Sequence, residues 1–177
     1  MAWPVSSGME VVMGDELAGR AGDFNTIVGP WIEPGYRLAY SMLRDADEAR
    51  DAVQVAAVKA WRSLGRLRDH GTAQVWFFGI VADQCRSTTR RRWSMVLRTV
   101  SVGSAAAGPD QSLDVEGAIG RLSPDDRAIL HLHYYLDLPI EEVARVLGIR
   151  PPTGRTRLYS AVQRMRPDQD LMEDDLR

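Results

Sequence analysis

The residues Gly148 to Thr156, GIRPPTGRT, have types that could cradle a phosphate: two glycines, a basic residue and a hydroxyl. A phosphate loop places four residues between its glycines, then Lys and Ser or Thr, between a strand and a helix. Here five residues separate Gly148 from Gly154, Arg155 stands in the lysine position, and the preceding segment has helical rather than strand periodicity. Pro151 and Pro152 also remove N–H donors from a loop that would have to present them. His131 and His133 are the next candidates, as metal ligands. Two residues apart on a helix is about 200° of rotation, so the pair does not converge on one ion. Cys85 is the only cysteine, which excludes an internal disulfide and a Cys-x-x-Cys knuckle. It reads as a small buried side chain on a helix. The carboxylates fall in helix caps and tails, so no catalytic constellation, metal or cofactor is expected.

The same nine residues make better sense as a turn and a helix start. LPIEEVARVLG, residues 138–148, places Ile140, Val143, Ala144 and Leu147 on one face and stops at Gly148. A short turn containing Gly leads to a second helix of about residues 152–166, ended by Pro167. That is the grammar of a helix-turn-helix. At about 100° per residue, Gly154, Leu158, Ala161 and Met165 share the packing side. Pro152, Thr156, Tyr159, Ser160 and Gln163 lie opposite, and Arg155 and Arg157 flank the seam. Hydroxyl, amide and aromatic groups framed by arginines suit a DNA major groove, where side chains reach base edges and arginines grip phosphates.

The elements that must position these groups are all helical, and the expected fold class is all-α. A first helical stretch covers about residues 24–43, with an interruption expected at Glu33-Pro34-Gly35 because proline breaks the hydrogen-bond ladder. Asp45 followed by Glu48 marks the cap of a second helix, with Ala49, Val53, Ala56, Ala57, Ala60, Trp61 and Leu64 on its apolar face. After a loop at residues 65–72, Thr72 is the expected cap of a third helix, which carries Val75, Trp76, Ile80 and Cys85 inward and ends at RRRW. Residues 101–112, SVGSAAAGPDQS, read as a flexible linker. Beyond it come a short helix at LDVEGAIGRL and another that starts at SPDDR, capped by Ser123, with Ile129, Leu132 and Leu136 inward. The chain therefore divides into an extension (1–23), a helical domain (24–98), a linker (99–112), a second helical domain containing the helix-turn-helix (113–167) and an acidic tail (168–177).

Charge follows the same divisions. The formal net charge is −2, yet residues 24–98 carry twelve basic and seven acidic side chains and residues 121–167 carry eight and five. The segments before, between and after are net acidic. Two basic blocks point to a polyanionic partner. Lys59 is the only lysine; the remaining basic side chains are arginines, which fork onto phosphate and guanine. No apolar run approaches a membrane span, and the first twenty residues lack the basic start and apolar stretch of a secretory signal. A cytoplasmic protein is expected.

At this point the residues carry a family resemblance. RDADEARDAVQVAAVKAWRSLGRL (44–67), GTAQVWFFGIVADQCRSTTRRR (71–92) and RLSPDDRAILHLHYYLDLPIEEVARVLGIRPPTGRTRLYSAVQRMR (121–166) resemble, in order, the conserved stretches of an extracytoplasmic-function (ECF) sigma factor of the sigma-70 family. The type is the one with sigma domains 2 and 4 only, and the resemblance covers most of the chain. It implies roles. Asp51, Val53, Gln54 and Lys59 would dock on core RNA polymerase. Arg66, Arg68 and His70 would help to capture an unpaired base of the −10 element, with Arg90, Arg91 and Arg92 along the DNA backbone. Arg155, Thr156, Tyr159, Ser160 and Arg157 would read the −35 element. Promoter DNA, core polymerase and an anti-sigma factor are the implied partners, and the polymerase rather than this chain performs the chemistry. The competing readings are a helix-turn-helix regulator without sigma activity and a paralogue that no longer initiates.

The sequence departs from the family pattern in places. Gln54-Val55 stands where the family has Gln-Glu, and Ala57 where it has Phe. Asp83 and Ser87 replace an Asn and an Asp. Gly154 replaces a core Val, which predicts a loosely seated recognition helix. Ser160 and Val162 replace basic residues of that helix.

Overall fold

The computed structural model describes residues 18–99 and 115–165, and every regular element among them is helical. A helix at residues 18–27 (α1) precedes α2, Gly29–Leu43. The chain turns at Val28, not at Pro34, which lies inside a continuous α2. The expected break is absent because Gly35, next to it, lets the helix press against a neighbour. A Cβ on Gly35 would meet Phe77 Cε1 at 2.9 Å. Burial of Phe77 against that bare backbone offsets the one hydrogen bond that Pro34 cannot donate.

Helix α3, Ala46–Ser63, starts as its sequence dictates: the Asp45 carboxylate accepts from the N–H groups of Asp47 and Glu48. Its inner face is Ala49, Ala52, Val53, Ala56 and Ala60, a row of small residues that brings α2 and α4 close. Two single 3-10 turns, Leu64–Arg66 and His70–Thr72, lead into α4, Ala73–Thr99. The capping carboxylate at this corner is that of Asp69, on Gly71 N at 2.9 Å, whereas the Thr72 hydroxyl donates to Asp69 O at 2.8 Å. Helix α4 buries Phe77, Phe78, Val81, Ala82 and Cys85 most deeply; Val75, Trp76 and Ile80 flank that stripe and are only partly covered. The helix also runs past the RRRW segment.

The second half holds α5, Val115–Arg121, then α6, Pro124–Leu130, with Ser123 Oγ accepting from Asp126 N at 3.1 Å. Helix α6 passes into a wider π turn, His131–Tyr135, closed by Leu136 N donating to His131 O at 3.1 Å. Asp137, in the left-handed region at φ 55°, ends it. Helix α7, Ile140–Leu147, stops at Gly148, whose φ of 64° favours glycine. Helix α8, Pro151–Met165, follows, with both prolines in its first turn, where no N–H is needed.

One buried cluster runs through both halves, from Val28, Leu38 and Phe77 to Ile129, Leu132, Val143 and Leu147. Helices α4 and α7 pack together, as do α2 and α6. No helix among the described residues is long and apolar enough to cross a membrane. Most of the linker expected at 99–112, the acidic tail and most of the N-terminal extension lie outside the described residues.

Candidate nucleic-acid interface

Helix α8 is seated by its two buried residues, Gly154 and Ala161. A Cβ on Gly154 would lie 3.5 Å from Ala144 Cβ and 3.6 Å from Ile140 Cδ1, which is ordinary contact. Room for one methyl group therefore remains at this point of the seam between α7 and α8. The opposite face carries Pro152, Thr156 and Tyr159, all exposed, with Tyr159 at 68%. Ser160 is half-buried beside them. The Thr156 hydroxyl donates within the helix to Pro152 O at 3.2 Å.

The arginines around this face already hold carboxylates. Arg155 pairs with Glu141 at 2.6 Å, Arg157 with Asp125 at 3.2 Å, and Arg164 with Asp126 at 2.5 Å. The carboxyl of Glu141 sits below its ordinary pKa because its own backbone N–H and the Arg155 guanidinium favour the charged form. Sequence reasoning did not find Arg164, Asp125 and Asp126 as a group. The signal for Arg164 was its spacing of seven from Arg157, two helical turns along one side.

In the first half, Arg66, Arg68 and His70 are all exposed on the corner between α3 and α4. Arg90, Arg91 and Arg92 are exposed near the far end of α4, about 25 Å away at 1.5 Å per residue. The two groups are thus not one site but the two ends of one path. Arg92 pairs with Glu48 at 3.1 Å, whereas Arg90 and Arg91 have no carboxylate partner among the described residues. Trp93, 62% exposed, stands beside them. Asp83, whose charge faces this region of α4, is neutralised by Arg86 at 2.7 Å.

On α3, Asp51 and Gln54 are exposed, and Val55 and Val58 join them on the same stripe at 42% and 49% exposure. Val58 was missed in the sequence; its spacing of three and four from Val55 and Gln54 was the available signal. Val53 is buried and belongs to the core rather than to the stripe. Lys59 is exposed but directed to α4, where its ammonium donates to Gln84 Oε1 at 2.5 Å. His131 stacks on Tyr135, and His133 faces Leu138 O at 2.9 Å, so the two histidines serve different neighbours.

Comparison with known proteins assigns the two halves. Residues 29–95 match Sigma-70 region 2, and residues 112–165 match Sigma-70, region 4. The RNA polymerase sigma factor SigV of Bacillus subtilis is 30% identical over 145 residues, covering 80% of this chain and 86% of that protein. The chain belongs to the ECF sigma factors of RNA polymerase. A further relative, the ECF RNA polymerase sigma factor SigL of Mycobacterium tuberculosis, is 27% identical over 143 residues, 74% of this chain and 80% of SigL. Among solved structures, the sigma factor RpoE of Bartonella quintana, in complex with the anti-sigma factor NepR, superposes with a TM-score of 0.68 at 27% identity, covering 86% of this chain and 98% of RpoE. CnrH, solved with the cytosolic domain of CnrY, shares the fold at a TM-score of 0.61 and 20% identity. This sigma factor binds core RNA polymerase and directs promoter recognition and transcription initiation.

The region 4 half of the sigma factor carries an open, mostly apolar groove of about 710 Å³, to which the region 2 half contributes Ser41. Ser41 and Arg127 stand at its polar side, and Ile119, Leu130, Tyr134 and Met165 line the rest.

Proposed function

We propose the following division of labour within this sigma factor. Helix α8 reads the −35 element as duplex through Arg155, Thr156, Tyr159, Ser160 and Arg157. Arg66, Arg68 and His70 trap an unpaired base of the −10 element, and Arg90, Arg91 and Arg92 follow the backbone beyond it. Asp51 and Gln54 face core polymerase, with Val55 and Val58 supplying the apolar centre of that contact, while Val53 from the core side and Lys59 through Gln84 hold the helix in place. The domains are 24–98 and 113–167, joined by the linker at 99–112. The chain supplies binding and positioning, and the polymerase the chemistry, in the cytoplasm. The open groove on the region 4 half receives an anti-sigma factor, a reading supported by the partner of RpoE in its solved complex.

The observation that carries the −35 assignment is the exposed face of α8. Its backbone is pinned to α7 through Gly154, while Thr156 and Tyr159 stand clear of the protein. Run-off transcription with purified core polymerase tests it. Arg155→Ala is expected to lower −35-dependent transcription by about 1–3 kcal/mol, the worth of a bidentate base contact. The same loss on promoters with and without a −35 element would remove Arg155 from base reading.

A further inference from the structure

The groove on the region 4 half, at about 710 Å³, has the size of a cleft that takes a ligand or part of a peptide. Open apolar surface of that extent marks a contact site. Helix α8 ends at its edge: Met165, the last described residue of the helix, lines the groove together with Val162, three residues earlier. Twelve residues follow, RPDQDLMEDDLR. Pro167 disfavours a helical Arg166, so the chain can leave the α8 axis beside the groove. Leu171 is six residues from Met165, a reach of up to about 20 Å when extended. Leu171, Met172 and Leu176 are the large apolar side chains of this segment, set among Asp168, Asp170, Glu173, Asp174 and Asp175.

The groove complements that composition in charge. None of its lining residues is a carboxylate. On its polar side the Arg127 guanidinium donates to carbonyls, those of Ser41 at 2.7 Å, Met42 at 2.5 Å and Leu122 at 2.5 Å. Burial, and then the nearby Arg44, push the pKa of Arg127 below its ordinary value. Asp126 offsets this less than either, and its carboxylate already accepts from Arg164 at 2.5 Å. An anion beside Arg127 would relieve the repulsion from Arg44. Arg44 reaches the same rim: its Nη1 lies 3.5 Å from the position of a Cβ on Gly120, next to Ile119 of the groove. The other segments outside the described residues fit less well. The acidic N-terminal one leaves from α1, whose Arg20 and Phe24 pack on Trp61 in the region 2 half. The linker does reach the groove at α5, but its residues 103–112 carry no large apolar side chain.

We propose that the C-terminal segment folds back and docks in this groove, with Leu171 and Met172 as its apolar anchors and its acids towards Arg127. The tether at Met165 supplies an effective concentration on the order of millimolar, so weak contacts suffice. The groove of the free sigma factor is thus filled by its own chain. An anti-sigma factor entering it must displace the segment; that consequence rests on the anti-sigma reading, whereas the docking does not.

Thiol reactivity reads the docking in the full-length chain. Cys85 is fully buried, so Met172→Cys supplies the one thiol that reacts rapidly in the native protein. Ellman's reagent is expected to react with it at least about fivefold more slowly than in the same chain that also carries Tyr134→Glu. Tyr134 lines the groove yet is 66% exposed, so a Glu there repels the acidic segment without entering the core. Circular dichroism checks that both proteins are folded. Equal rates in the two would overturn the docking. Protection that falls on dilution of the protein would assign the groove to a second copy and overturn it as well. A benzophenone side chain placed at Leu171 gives an independent reading. Crosslinks within one chain to residues 130–135 are expected, and crosslinks confined to other parts of the chain would overturn the docking. None of these readouts involves an anti-sigma factor, so failure of that reading leaves them unchanged.

Discussion

Replacing Gly154 by Ala should stabilise the protein without changing promoter output. Gly in a helix interior costs about 1 kcal/mol relative to Ala. The added methyl would lie 3.5 Å from Ala144 Cβ and 3.6 Å from Ile140 Cδ1 and Cγ1, contacts that need no neighbour to move. Burying it there contributes up to about 0.8 kcal/mol more. The gain is therefore about 1–2 kcal/mol. In urea, with a slope of about 1–3 kcal/mol/M, the midpoint rises by about 0.3 M or more while the slope stays constant. The exposed face of α8 is untouched, so run-off transcription should match the wild type. Gly154→Val should gain less, because its γ-methyls enter a seam that the first methyl already fills. A lowered or unchanged midpoint for Gly154→Ala would show that α7 and α8 do not pack as described.

Gly35→Ala should do the reverse: its Cβ would sit 2.9 Å from Cε1 of fully buried Phe77, so overpacking should cost about 1–3 kcal/mol, and a raised urea midpoint would contradict that packing. Cys85 is fully buried, and its burial pushes the thiol pKa up to about 12; Ellman's reagent should react with it only on unfolding, and rapid labelling of the native protein would refute the burial. His131 lies among α6 and the π turn with its Nε2 buried and unpaired, and desolvation, then Arg37, lowers its pKa to about 4. The fold thus accepts the neutral ring: its stability is complete above an unfolded pKa near 6.5 and is lost as pH falls towards 4, at about 1.4 kcal/mol per pH unit. By pH 5 the loss is about 2 kcal/mol, and His131→Phe, which keeps a ring against Tyr135, should remove it from the difference in stability between pH 7 and pH 5; an identical pH dependence in the two proteins would refute the assignment.

What could be read from the sequence was local. Asp45, Ser123 and Gly148 mark helix ends because each acts on backbone within three residues, and all three do so in the structure. The helix-turn-helix is legible for the same reason: its apolar faces repeat over two short, adjacent segments. Pattern reading failed where a distant residue decides. Pro34 looks like a breaker until Phe77, forty-three positions later, is known to press on Gly35. The apolar stripe of α4 is misplaced by about one residue because α2 and α3, not its own periodicity, set which side is covered. The π turn leaves no mark in a spacing of 3.6. Asp125 reads as a helix-start acid, which it is, and nothing near it announces Arg86, thirty-nine residues away.

The paired arginines bear on how a protein of net charge −2 binds DNA selectively. Unpaired arginines along α8 would attract any polyanion, because phosphate contacts carry no sequence information. Here Arg155, Arg157 and Arg164 each hold a carboxylate in the free chain. At Arg157 and Arg164 a phosphate must displace that carboxylate, so each of those contacts exchanges one anion for another and gains little by itself. Indiscriminate binding is thereby weakened more than specific binding, which also draws on Thr156 and Tyr159 meeting base edges. The departures from the family pattern act in the same direction. Ser160 and Val162, where the family has basic residues, lower the charge of the reading helix further. The attraction missing from α8 must then come from the rest of the initiation complex. Polymerase, by holding the two regions a promoter spacer apart, converts weak exchanges into a simultaneous fit at both elements. On this view the internal carboxylates make promoter binding conditional on the polymerase.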